Sequence, residues 1–327
     1  MHMKLGAIAA LLAGLAIAVF VLLHIGIAPV LNAIARVGWG GFALVVLCGF
    51  VVIALLGTAW YALLSDRVRW PIFVAARQLR DSASELLPFT QLGGMVIGAR
   101  AVVIGGLAAP RAFASVMVDV TMEFMAQIAF VLLGLMLGIA QLRASATLAP
   151  YAYGLILGTA LLVPGVIAFV VLQRRGSFLA EKLAGRFLPA AVSHTEAFAG
   201  ALNGLYDRPS RLAISSTMHL LSWIASGVWL WVVMRLIGAE VDVFSAIAIE
   251  SLLGALRGVT FFIPSSVGVQ EAGYAALASV FGMGPEIGLA VSLLKRARDI
   301  VVGVPVLLIW QVLEGKRAFT QQNGEPS

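Results

Sequence analysis

The chain has 327 residues, 61% hydrophobic and only 12% charged, with a formal net charge of +6 and a mean hydropathy of +1.00. A soluble domain carries about 25% charged residues, so the composition excludes an ordinary soluble enzyme or nucleic-acid binder and points to an all-α polytopic membrane protein. One cysteine, Cys48, excludes an internal disulfide and a thiolate metal site, and His2, His24, His194 and His219 show no ligand spacing.

A helix needs about 20 apolar residues to cross the ~30 Å of hydrocarbon. The run 5–23 behind Lys4 is long enough, and no small-x-small cleavage site follows it, so it reads as a first span rather than a signal peptide. A second span is expected at 42–64. The run 83–108 is apolar but broken: it carries Glu85, Pro88, Gly93, Gly94 and Arg100. Spans follow at 112–138 and 150–172. The loop 173–211 places Phe178, Leu179, Leu183, Phe187 and Leu188 at helical spacing among charges; it fits an amphipathic helix on the inner leaflet or one packed against the bundle. A span at 212–237 leads to a second broken run, 243–282, with Glu250, Arg257, Pro264, Gly268 and Glu271. The last span is 287–312, and 318–327 is a polar tail. No long polar stretch divides the chain, so 1–317 reads as a single transmembrane domain.

In lipid, a helix is interrupted only where the freed backbone is buried in protein or lines a wet cavity. Two interruptions, one in each half, point to a transporter-like site at mid-membrane depth. If both broken runs are re-entrant hairpins and the N-terminus is inside, fourteen basic residues face the cytoplasm against three (Arg36, Arg143, Arg235) outside. The fourteen include Arg77 and Arg80, placed in the first cytoplasmic loop. The expected architecture is about six full spans plus two hairpins entering from opposite faces, an inverted repeat with both termini cytoplasmic.

Ionisable side chains within spans cost at least ~2.5–3.5 kcal/mol at the helix centre and so line cavities or pair. Asp119 and Glu123 share one helix face, Glu250 lies two turns before Arg257, and Lys295, Arg296, Arg298 and Asp299 cluster in the last span, with Lys295–Asp299 and Arg296–Asp299 at pairing distance along the helix. With Glu85, Arg100 and Glu271 these are the candidate translocation residues; Pro88, Gly93, Gly94, Pro264 and Gly268 are the breaks. The alternative is that the charges only fix helix register. Surplus Arg and Lys near the second hairpin suit a lipid phosphate or carboxylate. Gly94/Gly98 and similar pairs permit close helix approach. Trp39, Trp60 and Trp70 read as interfacial anchors, Trp223, Trp229 and Trp231 as packing. No HExxH, GxSxG, P-loop or Asp-rich diphosphate motif is present, so neither catalysis nor a metal or other cofactor is expected.

Leu87-Pro88 with Gly93-Gly94 and Arg100, followed by Pro264, Gly268-Val269 and Glu271, resembles the membrane region of the lysylphosphatidylglycerol synthase/flippase superfamily. Val37-Gly-Trp-Gly-Gly41, Ala59-Trp60, Val118-Asp119-Val-Thr-Met-Glu123 and Ser292-Leu-Leu-Lys295-Arg296-Ala-Arg298-Asp299 narrow the likeness to its hopanoid-biosynthesis-associated branch. Ser265-Ser266 stand where such proteins usually carry Pro-Gly, and the soluble aminoacyl-transferase domain of bifunctional relatives is not in these 327 residues, so synthesis of lysyl lipid is not expected. The resemblance implies an inner-membrane lipid flippase handling hopanoids or hopanoid-bearing lipids. Membrane lipids are the implied partners, with a homo-oligomer or lipid-biosynthesis enzymes as further possibilities. A membrane-embedded transferase using Asp119, Glu123 or Glu271, and a non-catalytic scaffold, are the competing readings.

Overall fold

The structure is a computed structural model that describes residues 27–65, 68–87, 90–142, 192–260 and 263–322. Among these residues the chain is helical: α1 Ile27–Ala62, α2 Trp70–Leu86, α3 Thr90–Ile104, α4 Ala109–Leu142, α5 Val192–Tyr206, α6 Pro209–Ile237, α7 Val243–Val259, a 3₁₀ turn at Pro264–Ser266, α8 Val269–Val280 and α9 Pro285–Gln322. The spans read at 5–23 and 150–172 and the tail from 323 onward lie outside the described residues.

Three of the described helices contain stretches long and apolar enough to cross a membrane: Ile34–Ala62, Ala109–Gly138 and Pro209–Ile237. They match the spans expected at 42–64, 112–138 and 212–237. The span expected at 287–312 is helical within α9, but its four adjoining charges set it apart from those three. α1 extends N-terminally past a kink at Gly38, where φ is 60° and ψ 179°, a conformation open to glycine.

Local chemistry explains the breaks. α2 opens with a proline in its first turn and ends where Leu87 turns extended, at φ −100° and ψ 146°, as the residue before a proline must. Asp242 caps α7 by accepting from the N–H groups of Phe244 (2.9 Å) and Ser245 (3.0 Å). At the second break Ser265 and Ser266 both take positive φ, 53° and 46°, and Gly268 follows at 80°. The serines occupy the left-handed region in which a glycine would sit without strain. Glu271 then accepts the Gly268 N–H at 2.7 Å, tying down the start of α8.

The first hairpin is therefore larger than the 83–108 read from sequence: it comprises α2 and α3, residues 70–104. Gly94 and Gly98 let α3 close on α2; a Cβ on Gly94 would reach 2.5 Å from the Arg80 carbonyl oxygen, and one on Gly98 2.9 Å from Arg80 Cβ. α7 and α8, joined through the turn at Pro264–Ser266, form a second helical hairpin within the broken run 243–282.

α1 and α6 run antiparallel. Arg211 Nη1 donates to Ala62 O at 3.1 Å, joining the start of α6 to the end of α1, and Arg36 near the start of α1 lies beside Gly238 just past the end of α6. α2 follows the end of α1 and α7 follows the end of α6, so the two hairpins hang from opposite ends of this pair. The packing relations survive exchange of the halves. α1 packs on α6; α2 packs on α1, α3 and α9, as α7 packs on α6, α8 and α4; α3 packs on α4 as α8 packs on α9.

Two apolar cores flank this arrangement. One gathers Val45, Leu230, Met234, Ile249 and Leu289; the other gathers Trp60, Phe73, Val102, Val116 and Leu202. Trp60 is no interfacial anchor: it is fully buried, meets Phe73 edge-to-face at 5.5 Å and donates to Ser115 Oγ at 2.9 Å. Trp39, at 90% exposure, fits the anchor role. Of the loop 173–211, residues 173–191 lie outside the described set, while α5 packs on α4 and buries Leu202 and Leu205. The helix expected around Phe178–Leu188 lies outside the described residues.

Candidate functional site

Between the two hairpins lies a cavity of about 310 Å³. Its wall takes residues from α1, α2, α4, α6, α7, α8 and α9 and from the turn at 263–266, and ten of its lining residues are charged: Arg77, Arg80, Asp81, Glu85, Glu123, Glu250, Arg257, Lys295, Arg298 and Asp299. Five acids face five bases, so the wall is ionic yet balanced. Three groups of contacts build it.

The first group joins α2 to α4. Arg77 forks onto Glu123, Nη1 to Oε2 at 2.9 Å and Nη2 to Oε1 at 2.7 Å, while its Nε donates to Asp81 at 3.1 Å. Arg80 donates to Asp119 at 2.7 Å and to Glu123 at 3.1 Å. Asp119, fully buried, also shares a 3.0 Å hydrogen bond with His219 Nε2 on α6. Bidentate guanidinium–carboxylate pairs are the strong class of charged hydrogen bond, and here they fasten the first hairpin across the cavity wall. The second group joins α7 to α9. Glu250 accepts from Lys295 Nζ (2.8 Å), Ser226 Oγ (2.7 Å) and Tyr274 Oη (2.6 Å), and Lys295 also reaches Tyr274 Oη at 2.7 Å while lying 4.6 Å from the Trp229 ring centroid.

The third group is where the two breaks meet. Arg257 Nη2 donates to Glu85 Oε1 at 2.6 Å, and Ser265 Oγ donates to the Glu85 carbonyl at 2.5 Å. A helix end buried without partners leaves carbonyls unsatisfied, and the opposite hairpin supplies partners here. Arg296 holds the same turn: it pairs with Glu271 and sends Nη2 to Ser265 O at 3.3 Å. Ser292 Oγ donates to Glu271 Oε1 at 3.0 Å.

Most of the residues singled out from sequence therefore converge, with different partners. The same-helix pairs Lys295–Asp299 and Arg296–Asp299 give way to Lys295–Glu250 and Arg296–Glu271, and Asp299 is bonded instead to Arg298 at 2.9 Å. Arg257 meets Glu85 rather than Glu250. Arg100 does not belong to the cavity: its side chain is 62% exposed and pairs with Glu314 at 2.7 Å on an outer face. Gly93 and Gly94 lie in the first turn of α3, Pro264 opens the 3₁₀ turn and Gly268 starts α8; Pro88 is outside the described residues.

Five ionisable participants went unrecognised in the sequence, Asp81 beside Arg77 among them. Arg77 and Arg80, taken as cytoplasmic loop charges, are buried at 4% exposure each, so twelve of the fourteen basic residues remain for the topology argument. Their polar neighbours lower the hydropathy of 70–86 enough to hide a buried helix, but Phe73, Ala76, Leu79 and Ala83 recur at helical spacing and would have revealed it. His219 and Tyr274 complete the list. Trp229, read as packing, lies under Lys295 and lines the cavity. Among the described residues no three His, Cys, Asp or Glu side chains are arranged to hold a metal.

A family model described as the lysylphosphatidylglycerol synthase TM region matches residues 7–306. The chain belongs to that family. The match runs through both hairpins and every charged residue of the cavity, so the family is a lipid-related membrane family and the cavity lies wholly within its shared region. No curated protein and no solved structure matches the chain significantly.

Proposed function

We propose that this protein passes lipid headgroups from one leaflet of the bacterial inner membrane to the other through the cavity between its hairpins, without modifying them chemically. The observation that carries the reading is the meeting of two helix breaks at one charged cavity, Glu85 of the first hairpin against Arg257 and Ser265 of the second. Polar backbone and charge inside an apolar bundle are stable where a wet route needs them. Two hairpins hung from opposite ends of an antiparallel pair form the framework of alternating access.

In this reading both hairpins are re-entrant, the architecture is an inverted repeat of about six spans plus two hairpins, and both termini are cytoplasmic. Arg111, Arg208 and Arg211 support that orientation by gathering around Ala62–Ser65 at one end of the bundle. The favoured cargo is a hopanoid or hopanoid-bearing lipid, on the strength of the sequence likeness. The test is reconstitution in liposomes with labelled hopanoid and labelled phospholipid, following leaflet accessibility and covalent change together. Protein-dependent exchange of unmodified lipid is expected. Covalent product without exchange would replace the reading with a transferase, and neither would leave a scaffold.

A further inference from the structure

Among the described residues the buried bases of the bundle are matched to carboxylates, most of them on other helices. Arg77 and Arg80 hold Asp119 and Glu123, Lys295 holds Glu250 and Arg296 holds Glu271. Arg298 is different. Its side chain is 7% exposed, yet the carboxylate it touches is that of the next residue, Asp299, through Nη1 at 2.9 Å. Nε and Nη2 have no hydrogen-bond partner.

The guanidinium rests instead on apolar surface. Cζ lies 5.5 Å from the Trp229 ring centroid and 6.0 Å from that of Phe50. It sits over Gly49 of α1, where a Cβ would come within 2.5 Å of Nε and 2.8 Å of Cζ and Nη2. Arg298, Trp229 and Gly49 all line the cavity. A buried charged donor without an acceptor is costly, and an arginine within a span adds to that cost. Asp299 already occupies Nη1, and Lys295 one turn away is taken by Glu250 and Tyr274. The Nε–Nη2 edge is thus an unfilled fork, buried against Gly49 at the wall of the charged cavity.

We propose that this edge of Arg298 docks an oxyanion entering the cavity, a phosphate or a carboxylate that takes both N–H groups in a bidentate pair. Docking turns the guanidinium off Trp229 and out of the Gly49 notch into the cavity. The proposal rests on the lipid-handling reading only for the source of the oxyanion; the site itself stands without transport.

The test is equilibrium binding of phosphatidylglycerol, and separately of inorganic phosphate, to the full chain in maltoside micelles, which carry no phosphate. Arg298→Gln is expected to weaken phosphatidylglycerol binding at least about tenfold, with Arg298→Lys in between and Arg100→Gln unchanged. A parallel loss of inorganic phosphate binding means the free anion suffices; loss for the lipid alone means the headgroup is the ligand. Both outcomes keep the site. Unchanged binding of both probes to Arg298→Gln with the melting temperature of the parent would overturn it. If Arg298→Gln does not fold, Gly49→Ala keeps the charge and displaces the guanidinium; it is expected to shift phosphatidylglycerol affinity at least about threefold, and an unshifted affinity overturns the proposal. Binding that depends on Arg298 in a protein that exchanges no lipid would end the transport reading and leave this site. Exchange with Arg298-independent binding would do the reverse.

Discussion

The two hairpins present charges at matching positions with opposite signs. α2 and α7 are both 17 residues long, and the eighth residue is Arg77 in one and Glu250 in the other. The long helices α4 and α9 answer them at the eleventh residue, Asp119 in α4 and Lys295 in α9; the fifteenth is acidic in both, Glu123 and Asp299, and there only Glu123 pairs with its hairpin while Asp299 pairs with Arg298. In the first half the hairpin brings the base and the long helix the acids; in the second half the hairpin brings the acid and the long helix the base. What is retained between the halves is the position of an ion pair, not its polarity. An ion pair fastens a hairpin to a long helix equally well in either sense, since the Coulomb term is symmetric. The equivalence between the halves lies in register rather than in residue identity.

The halves differ in how completely the charges are spent. Arg77 and Arg80 share three carboxylates, and of their guanidinium nitrogens only Arg80 Nε lacks a hydrogen-bond partner. The second half retains the half-filled fork of Arg298. On the proposed reading, the first cluster chiefly holds the fold and the second receives the ligand, a division that substitutions can break.

The largest effect is expected at Asp119, which is fully buried between Arg77, Arg80 and His219. Asp119→Asn removes the 2.7 Å carboxylate partner of buried Arg80, leaving it only the 3.1 Å contact to Glu123, and should cost about 3–5 kcal/mol, seen as a large fall in melting temperature and in membrane abundance. A parent-like melting curve would show that the first cluster does not hold the fold.

The next test probes sign exchange. Glu250→Lys and Lys295→Glu alone should each destabilise by about 3 kcal/mol or more, by placing like charges together in a buried site. The double variant should recover more than half of the summed loss in a thermal double-mutant cycle, though not all, because Lys295 also loses Tyr274 and the Trp229 ring. Strict additivity would mean that polarity, not register, is what the site demands.

Both breaks were legible in the sequence because proline acts locally alongside glycine and charge: α2 ends at Leu86, just before Leu87-Pro88, and α7 ends at Val259, five residues before Pro264, whereas Pro305, in an apolar stretch, is carried inside α9. The charged residues were legible as well, since their cost in lipid marks them individually. Their partners were not. Spacing along one helix sees only i to i+4 neighbours, whereas Glu250 finds Lys295 and Glu85 finds Arg257 through packing of distant segments. Arg77 and Arg80 were lost for a related reason. Hydropathy asks whether a helix faces lipid, and α2 faces the protein interior and the cavity.

A smaller loss is expected at Glu271, which ties the start of α8 to Arg296. Arg296 keeps 23% exposure and so retains some hydration. Glu271→Gln should cost about 1–3 kcal/mol by melting temperature, less than Asp119→Asn. The reverse order would move the structural load to the second half. Smallest of all is Arg100→Gln: the Arg100–Glu314 pair is exposed, and its loss should change stability by less than about 1 kcal/mol and leave lipid exchange at the parent rate.

The central claim is that lipid moves where the two hairpin tips meet. In a Cys48→Ser background, Glu85→Cys with Ser265→Cys places two thiols across that contact, where Ser265 Oγ now bonds Glu85 O. Leaflet exchange of labelled lipid is measured in one preparation of liposomes before oxidation, after it, and after reduction. The expected result is protein-dependent exchange that stops when the disulfide forms and returns when it is reduced. An exchange rate that is the same with the tips locked and unlocked would contradict the account.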